Sequence, residues 1–121
     1  MIRRLLILPL LLVCACTSIE KTAYNTVVDA KAFTDQTKSQ HPECATASAS
    51  TLCADLKKAV AAKDVLIDAV EIYCAGPNFN GGGACDPPAK GTSAYTQAVS
   101  KLTAAIQAYS QTESDLKGVI Q

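Results

Sequence analysis

The chain has no tryptophan, one histidine, one methionine and two phenylalanines in 121 residues. Its only arginines are Arg3 and Arg4, so lysine alone carries positive charge beyond them. Each scarcity excludes something. A single histidine leaves no His/Cys set for a zinc-type centre. That residue, His41, stands beside Pro42 at a helix-ending step, a poor place for the base of a Ser-His-Asp triad, which a buried carboxylate must hold. Past residue 16, nine lysines face 11 acidic residues, a formal charge of −2. Binders of nucleic acid neutralise phosphates with Lys and Arg and read base edges with Arg, so that partner class is excluded. No apolar run reaches the roughly 20 residues of a membrane-crossing helix.

What is present begins with Met1-Ile2-Arg3-Arg4, the apolar run Leu5 to Val13, and then Cys14-Ala15-Cys16. Two cations, a short greasy stretch broken by Pro9 and small residues at the end form the layout of a secretory signal peptide. The strongly apolar Leu5-Leu6-Ile7 after the arginine pair favours the plain secretory route over the twin-arginine one. Val13-Cys14-Ala15-Cys16 resembles the lipobox of bacterial lipoproteins: a branched aliphatic, two small residues, then cysteine. Cys14 is an unusual but small filler, and it cannot take the lipid itself because Val13 before it is too bulky for the cut.

The resemblance implies a signal peptide over residues 1–15, lipidation of Cys16 by diacylglyceryl and fatty acyl (palmitate-type) groups, and a mature domain over 16–121. Two or more acyl chains anchor stably, since each buried CH₂ contributes about 0.8 kcal/mol. Thr17, where lipoproteins kept at the inner membrane carry aspartate, implies the periplasmic face of the outer membrane in a host with two membranes.

Four cysteines remain: Cys44, Cys53, Cys74 and Cys85. An even number in a small exported domain reads as a disulfide framework, and the helix pattern selects the pairing. From Ile19 to about Gln40, Ala23, Val27, Ala30 and Phe33 recur at helical spacing, with Tyr24 alongside. His41-Pro42 ends that helix, and Ser48-Ala49-Ser50-Thr51 offers N-caps for the next. The second helix carries Leu52, Leu56, Ala59, Leu66, Val70 and Tyr73, widened by Val60 and Ile67, and stops at Gly76-Pro77. The third follows Tyr95, Val99, Leu102, Ile106, Tyr109, Leu116 and Ile120, interrupted at Glu113.

Three amphipathic helices in series and no period-two segment predict an all-α antiparallel three-helix bundle. Cys53 and Cys74 then lie at opposite ends of helix two, about 32 Å apart at 1.5 Å per residue. A disulfide needs Cα atoms within about 7 Å, so the bridges are expected to be Cys44–Cys53 and Cys74–Cys85. No Cys-x-x-Cys redox pair exists in the sequence.

The connection AGPNFNGGGACDPPAKGT, residues 75–92, is long and glycine-rich. It lacks the preceding strand and Lys-Ser/Thr pair of a phosphate loop. Asp86 is its single carboxylate, too few for calcium. A disulfide-pinned turn is expected, with Phe79 as the one residue placed to touch lipid or a partner. Only Thr17 and Ser18 separate Cys16 from helix one, which would set this loop toward the bilayer.

Asp64, Asp68 and Glu71, with Lys57, Lys58 and Lys63, read as a solvated face with i, i+4 pairs, not as glycosidase carboxylates, which work in a cleft. No metal, cofactor or catalysis is expected. The expected role is a structural or protein-interaction module of the cell envelope, with membrane lipid and an envelope protein as partners, in envelope maintenance or exclusion of phage or conjugation. The alternative is a small periplasmic module holding a lipid or hydrophobe between alanine-lined helices.

Overall fold

The protein, seen in a computed structural model, is described over residues 19–46, 50–74 and 85–120. Helix α1 spans Ile19–Gln40, α2 Thr51–Cys74 and α3 Ser93–Ile120, with a short 3-10 helix, Pro42–Thr46, after α1. No strand occurs among the described residues. The helices run up, down and up. Tyr73 near the end of α2 reaches Glu20 near the start of α1 and stacks near Tyr95 at the start of α3. Lys117 near the end of α3 lies over Phe33 in the second half of α1.

The boundaries have local causes. At the end of α1 the His41 amide donates to the Thr37 carbonyl at 3.0 Å, and Pro42 has no amide to continue the ladder. Ser50 caps α2: its Oγ accepts from the Cys53 amide at 3.1 Å, satisfying a donor that the first turn leaves free. Thr92 does the same for α3, accepting from the Tyr95 amide at 3.2 Å. Ahead of it the chain turns from Ala89 to Thr92, closed by a 3.2 Å backbone hydrogen bond. Gly91 takes φ +86° there with open space around it, a conformation that L side chains adopt at a cost.

The core is built from small residues and a few large ones. Ala23, Val27 and Ala30 of α1 meet Leu66, Ala69, Val70 and Tyr73 of α2 and Ala98, Leu102, Ala105 and Tyr109 of α3. A smaller cluster of Leu56, Ala59 and Leu116 occupies the other end. The expected apolar course matches the buried one on α2, holds on α1 through Ala30 and on α3 at Leu102, Tyr109 and Leu116, and departs from it at the remaining positions. On α3 the buried line runs through Ala98 and Ala105, while Tyr95, Val99 and Ile106 are half-buried beside it and Ile120 is exposed. Alanine lets the backbones approach, and the bulkier aliphatics are pushed to the flanks of the contact.

On α1 the line continues through Thr34 and Thr37, both buried, rather than through Phe33, which is half-buried. Each threonine hydroxyl donates to a carbonyl of its own helix, Thr34 to Ala30 and Thr37 to Phe33, both at 2.8 Å. The polar atom is satisfied locally, so burial there carries no unmet hydrogen bond.

Both expected disulfides are formed. Cys44–Cys53 and Cys74–Cys85 have Cα separations of 5.1 Å and 4.3 Å. They close loops of nine and 11 residues, each stabilising by about 2–3 kcal/mol in the chain-entropy account. An alanine-rich core buries little area per residue, so these staples supply a large share of the stability of a domain this small.

Candidate functional site

At the Cys74 end the covalent bridge is reinforced by a backbone hydrogen bond, Asp86 amide to Cys74 carbonyl at 3.1 Å. This ties the segment after residue 84 to the last turn of α2. Beneath it, the Tyr73 hydroxyl donates to Glu20 Oε1 at 3.1 Å, and the rings of Tyr73 and Tyr95 lie 6.2 Å apart at 52°. Burial pushes the Tyr73 hydroxyl well above the ordinary tyrosine pKa, and the Glu20 carboxylate pushes it further, because a charge forming there would be desolvated and repelled.

Tyr109 is 1% exposed, and its hydroxyl has no hydrogen-bond partner among the described residues. Burial raises its pKa first, followed by the charges of Glu113 and Asp29. Neither feature of the two tyrosines was visible in the sequence, where both read only as core aromatics.

The Cys53 end is more polar. His41 Nδ1 lies 3.1 Å from Glu43 Oε1, at the corner that follows α1. A backbone hydrogen bond within Glu43, with His41 second, holds the Glu43 carboxyl below its usual range. Lys117 Nζ sits 5.3 Å from the centre of the Phe33 ring and 3.1 Å from Glu113 Oε1, one helical turn away. A cation over a ring face is attracted by the ring quadrupole.

Helix α2 departs from the expected pattern of charges. Lys63 falls on the same inward course as Leu56, Ala59, Leu66 and Val70, and its side chain is only 14% exposed. Its ammonium emerges beside Asp64 Oδ1 at 3.5 Å, in the manner of a lysine that buries its stem and keeps its head in water. This replaces the expected i, i+4 pairing of that helix: among the described residues Lys57, Lys58, Asp68 and Glu71 form no ion pair.

Among the described residues, no group of three His, Cys, Asp or Glu side chains is placed to hold a metal ion. Nor is any described helix long and apolar enough to cross a membrane. Cys16, the expected lipid site, and Phe79, the expected lipid or partner contact, lie outside the described residues. What the described part brings together is therefore a stapled scaffold with a polar corner, two buried tyrosines and an outward face of α2. No family model matches the chain, and no curated protein or solved structure matches it either.

Proposed function

We propose that the protein is a bacterial envelope lipoprotein, anchored through Cys16, whose helical bundle acts as a structural or protein-interaction module. The observation that carries this reading is the sequence Val13-Cys14-Ala15-Cys16 after a short apolar run, set ahead of a bundle with two disulfides. Disulfides persist in compartments outside the reducing cytosol, so the staples and the leader favour the same address. Thr17 favours the outer membrane in a host with two membranes. A bundle whose core is made mainly of alanine, leucine, valine and tyrosine side chains supports a displayed surface as its role.

Two measurements test it. The intact mass of the mature protein from its bacterial host should equal residues 16–121 plus acyl groups, and a clickable fatty acid should label the wild type but not Cys16→Ser. An unmodified thiol at Cys16, or an uncut leader, overturns the anchor. A photo-reactive residue in place of the exposed Lys101 should give a discrete cross-linked product with an envelope protein. Only monomeric protein across a set of such outward positions counts against the interaction role.

A further inference from the structure

The outward face of α2 carries a second heptad course that the bundle does not use. Ala54, Lys58, Ala61, Val65, Asp68 and Ile72 follow one another at steps of four, three, four, three and four, and all six are exposed. Steps that alternate between three and four keep residues on one helix face and are the spacing of a helix–helix seam. Val65 and Ile72 are 58% and 59% exposed, the most exposed of the large apolar side chains among the described residues. Lys58 and Asp68 have no ion-pair partner within the described residues.

The course is also symmetric about the level of residue 63. Reversing a second copy of α2 against the first sets Ala54 opposite Ile72, Lys58 opposite Asp68 and Ala61 opposite Val65. Each pair occurs twice, as a two-fold isologous contact requires. Small side chains meet large ones, and opposite charges meet. The flanks agree, since Lys57 of one copy approaches Glu71 of the other. Asp64 comes near its own symmetry mate, but Lys63 already accompanies it at 3.5 Å. A parallel pairing would instead set Lys58 against Lys58 and Asp68 against Asp68.

We infer that the exposed face of α2 is a homodimer seam, on which a second copy of this chain packs antiparallel in the register just given. The inference goes beyond the lipoprotein reading and does not depend on the anchor. Two large aliphatics per copy make the contact weak, and the reciprocal Lys58–Asp68 pairs set its register and direction. Like charges placed opposite one another strongly disfavour association.

The test uses the full chain in a large excess of density-matched detergent micelles, with mass followed by sedimentation equilibrium. The wild type should show a concentration-dependent monomer–dimer equilibrium. Lys58→Asp and Asp68→Lys should each weaken it by about tenfold or more, since each creates two like-charge contacts per dimer. An equimolar mixture of those two variants should regain wild-type association, because every 58–68 contact becomes opposite in sign. The double variant Lys58→Asp/Asp68→Lys should regain it alone. A wild type that stays monomeric, single variants that associate as the wild type does, or a mixture and double variant as weak as the singles would each overturn the seam.

Discussion

The two ends of the bundle carry the same kind of staple but differ in what lies beneath it. Under Cys74–Cys85 all three helices contribute to a continuous cluster that includes Leu66, Leu102, Tyr73 and Tyr109. Near Cys44–Cys53 the apolar cluster shrinks to Leu56, Ala59 and Leu116, edged by half-buried Phe33, Leu52 and Val60, with the buried Thr34, Thr37 and Cys53 completing that end. Lys63 lies on the inward course of α2 between Ala59 and Leu66, where an apolar residue would have joined the two clusters. The contrast teaches that a disulfide can do different work at each end. At the Cys74 end it tightens packing that already exists, and at the Cys53 end it stands in for packing that is thin.

The largest effect should come from cutting into the continuous cluster. Leu66 and Leu116 are both fully buried, but Leu66 belongs to the larger set of buried side chains. Leu66→Ala should lose about 3–4 kcal/mol in urea unfolding and Leu116→Ala about 2 kcal/mol, because half-buried neighbours can settle into the smaller gap. Equal losses would erase the distinction between the ends.

Removing the staples should come next. Cys44→Ala/Cys53→Ala and Cys74→Ala/Cys85→Ala should each cost about 2–3 kcal/mol globally. Hydrogen exchange should separate them. Without the first bridge, amides in the early turns of α2 should exchange by local opening. Without the second, those of residues 66–74 should remain protected by their cluster. If the late α2 amides open as readily, the Cys74 end owes its order to the bridge and not to packing.

A smaller contrast lies between two tyrosines of the same cluster. Tyr73 has an acceptor in Glu20, whereas the Tyr109 hydroxyl is buried without a partner among the described residues. Tyr73→Phe should destabilise by about 1 kcal/mol, and Tyr109→Phe should stabilise by about as much, since it removes a desolvated, unpaired hydroxyl. Paired thermal melts decide the signs.

The last effect is invisible at neutral pH. Both tyrosines have folded-state pKa values raised above the ordinary 10.0, so the unfolded chain loses those protons first. Stability is intact below pH 10 and falls as pH rises above it. Helix loss should coincide with their tyrosinate absorbance, and Tyr73→Phe/Tyr109→Phe should move the alkaline midpoint upward.

Much of this architecture was legible because its signals are local. The His41-Pro42 stop, the step pattern of Leu56, Ala59, Leu66, Val70 and Tyr73, and the length of α2 were enough to predict three helices and both bridges. The inward faces of α1 and α3 were harder. Thr34 and Thr37 read as polar, and only the donation of their hydroxyls to the preceding turn makes them core residues. Ala98 and Ala105 are less hydrophobic than Val99 and Ile106, yet close approach of helices selects the smaller side chain. Lys63 was read as a surface charge because a sequence does not say which lysine stem will be covered. Of the expected site, the disulfide positions were fixed by reach. The outward seam of α2 was hidden within a row of charges until the faces were assigned.

The order of the bridges has a consequence for how the chain matures. Each cysteine of the domain is joined to the next one along the sequence, first to second and third to fourth. On the proposed export route, a chain threaded through a pore N-terminus first presents its thiols in that same order. With Cys14 removed in the leader and Cys16 acylated, an oxidase that links each new thiol to the unpaired one before it would arrive at the native pattern. Shuffling of mismatched bonds would then be unnecessary for this protein.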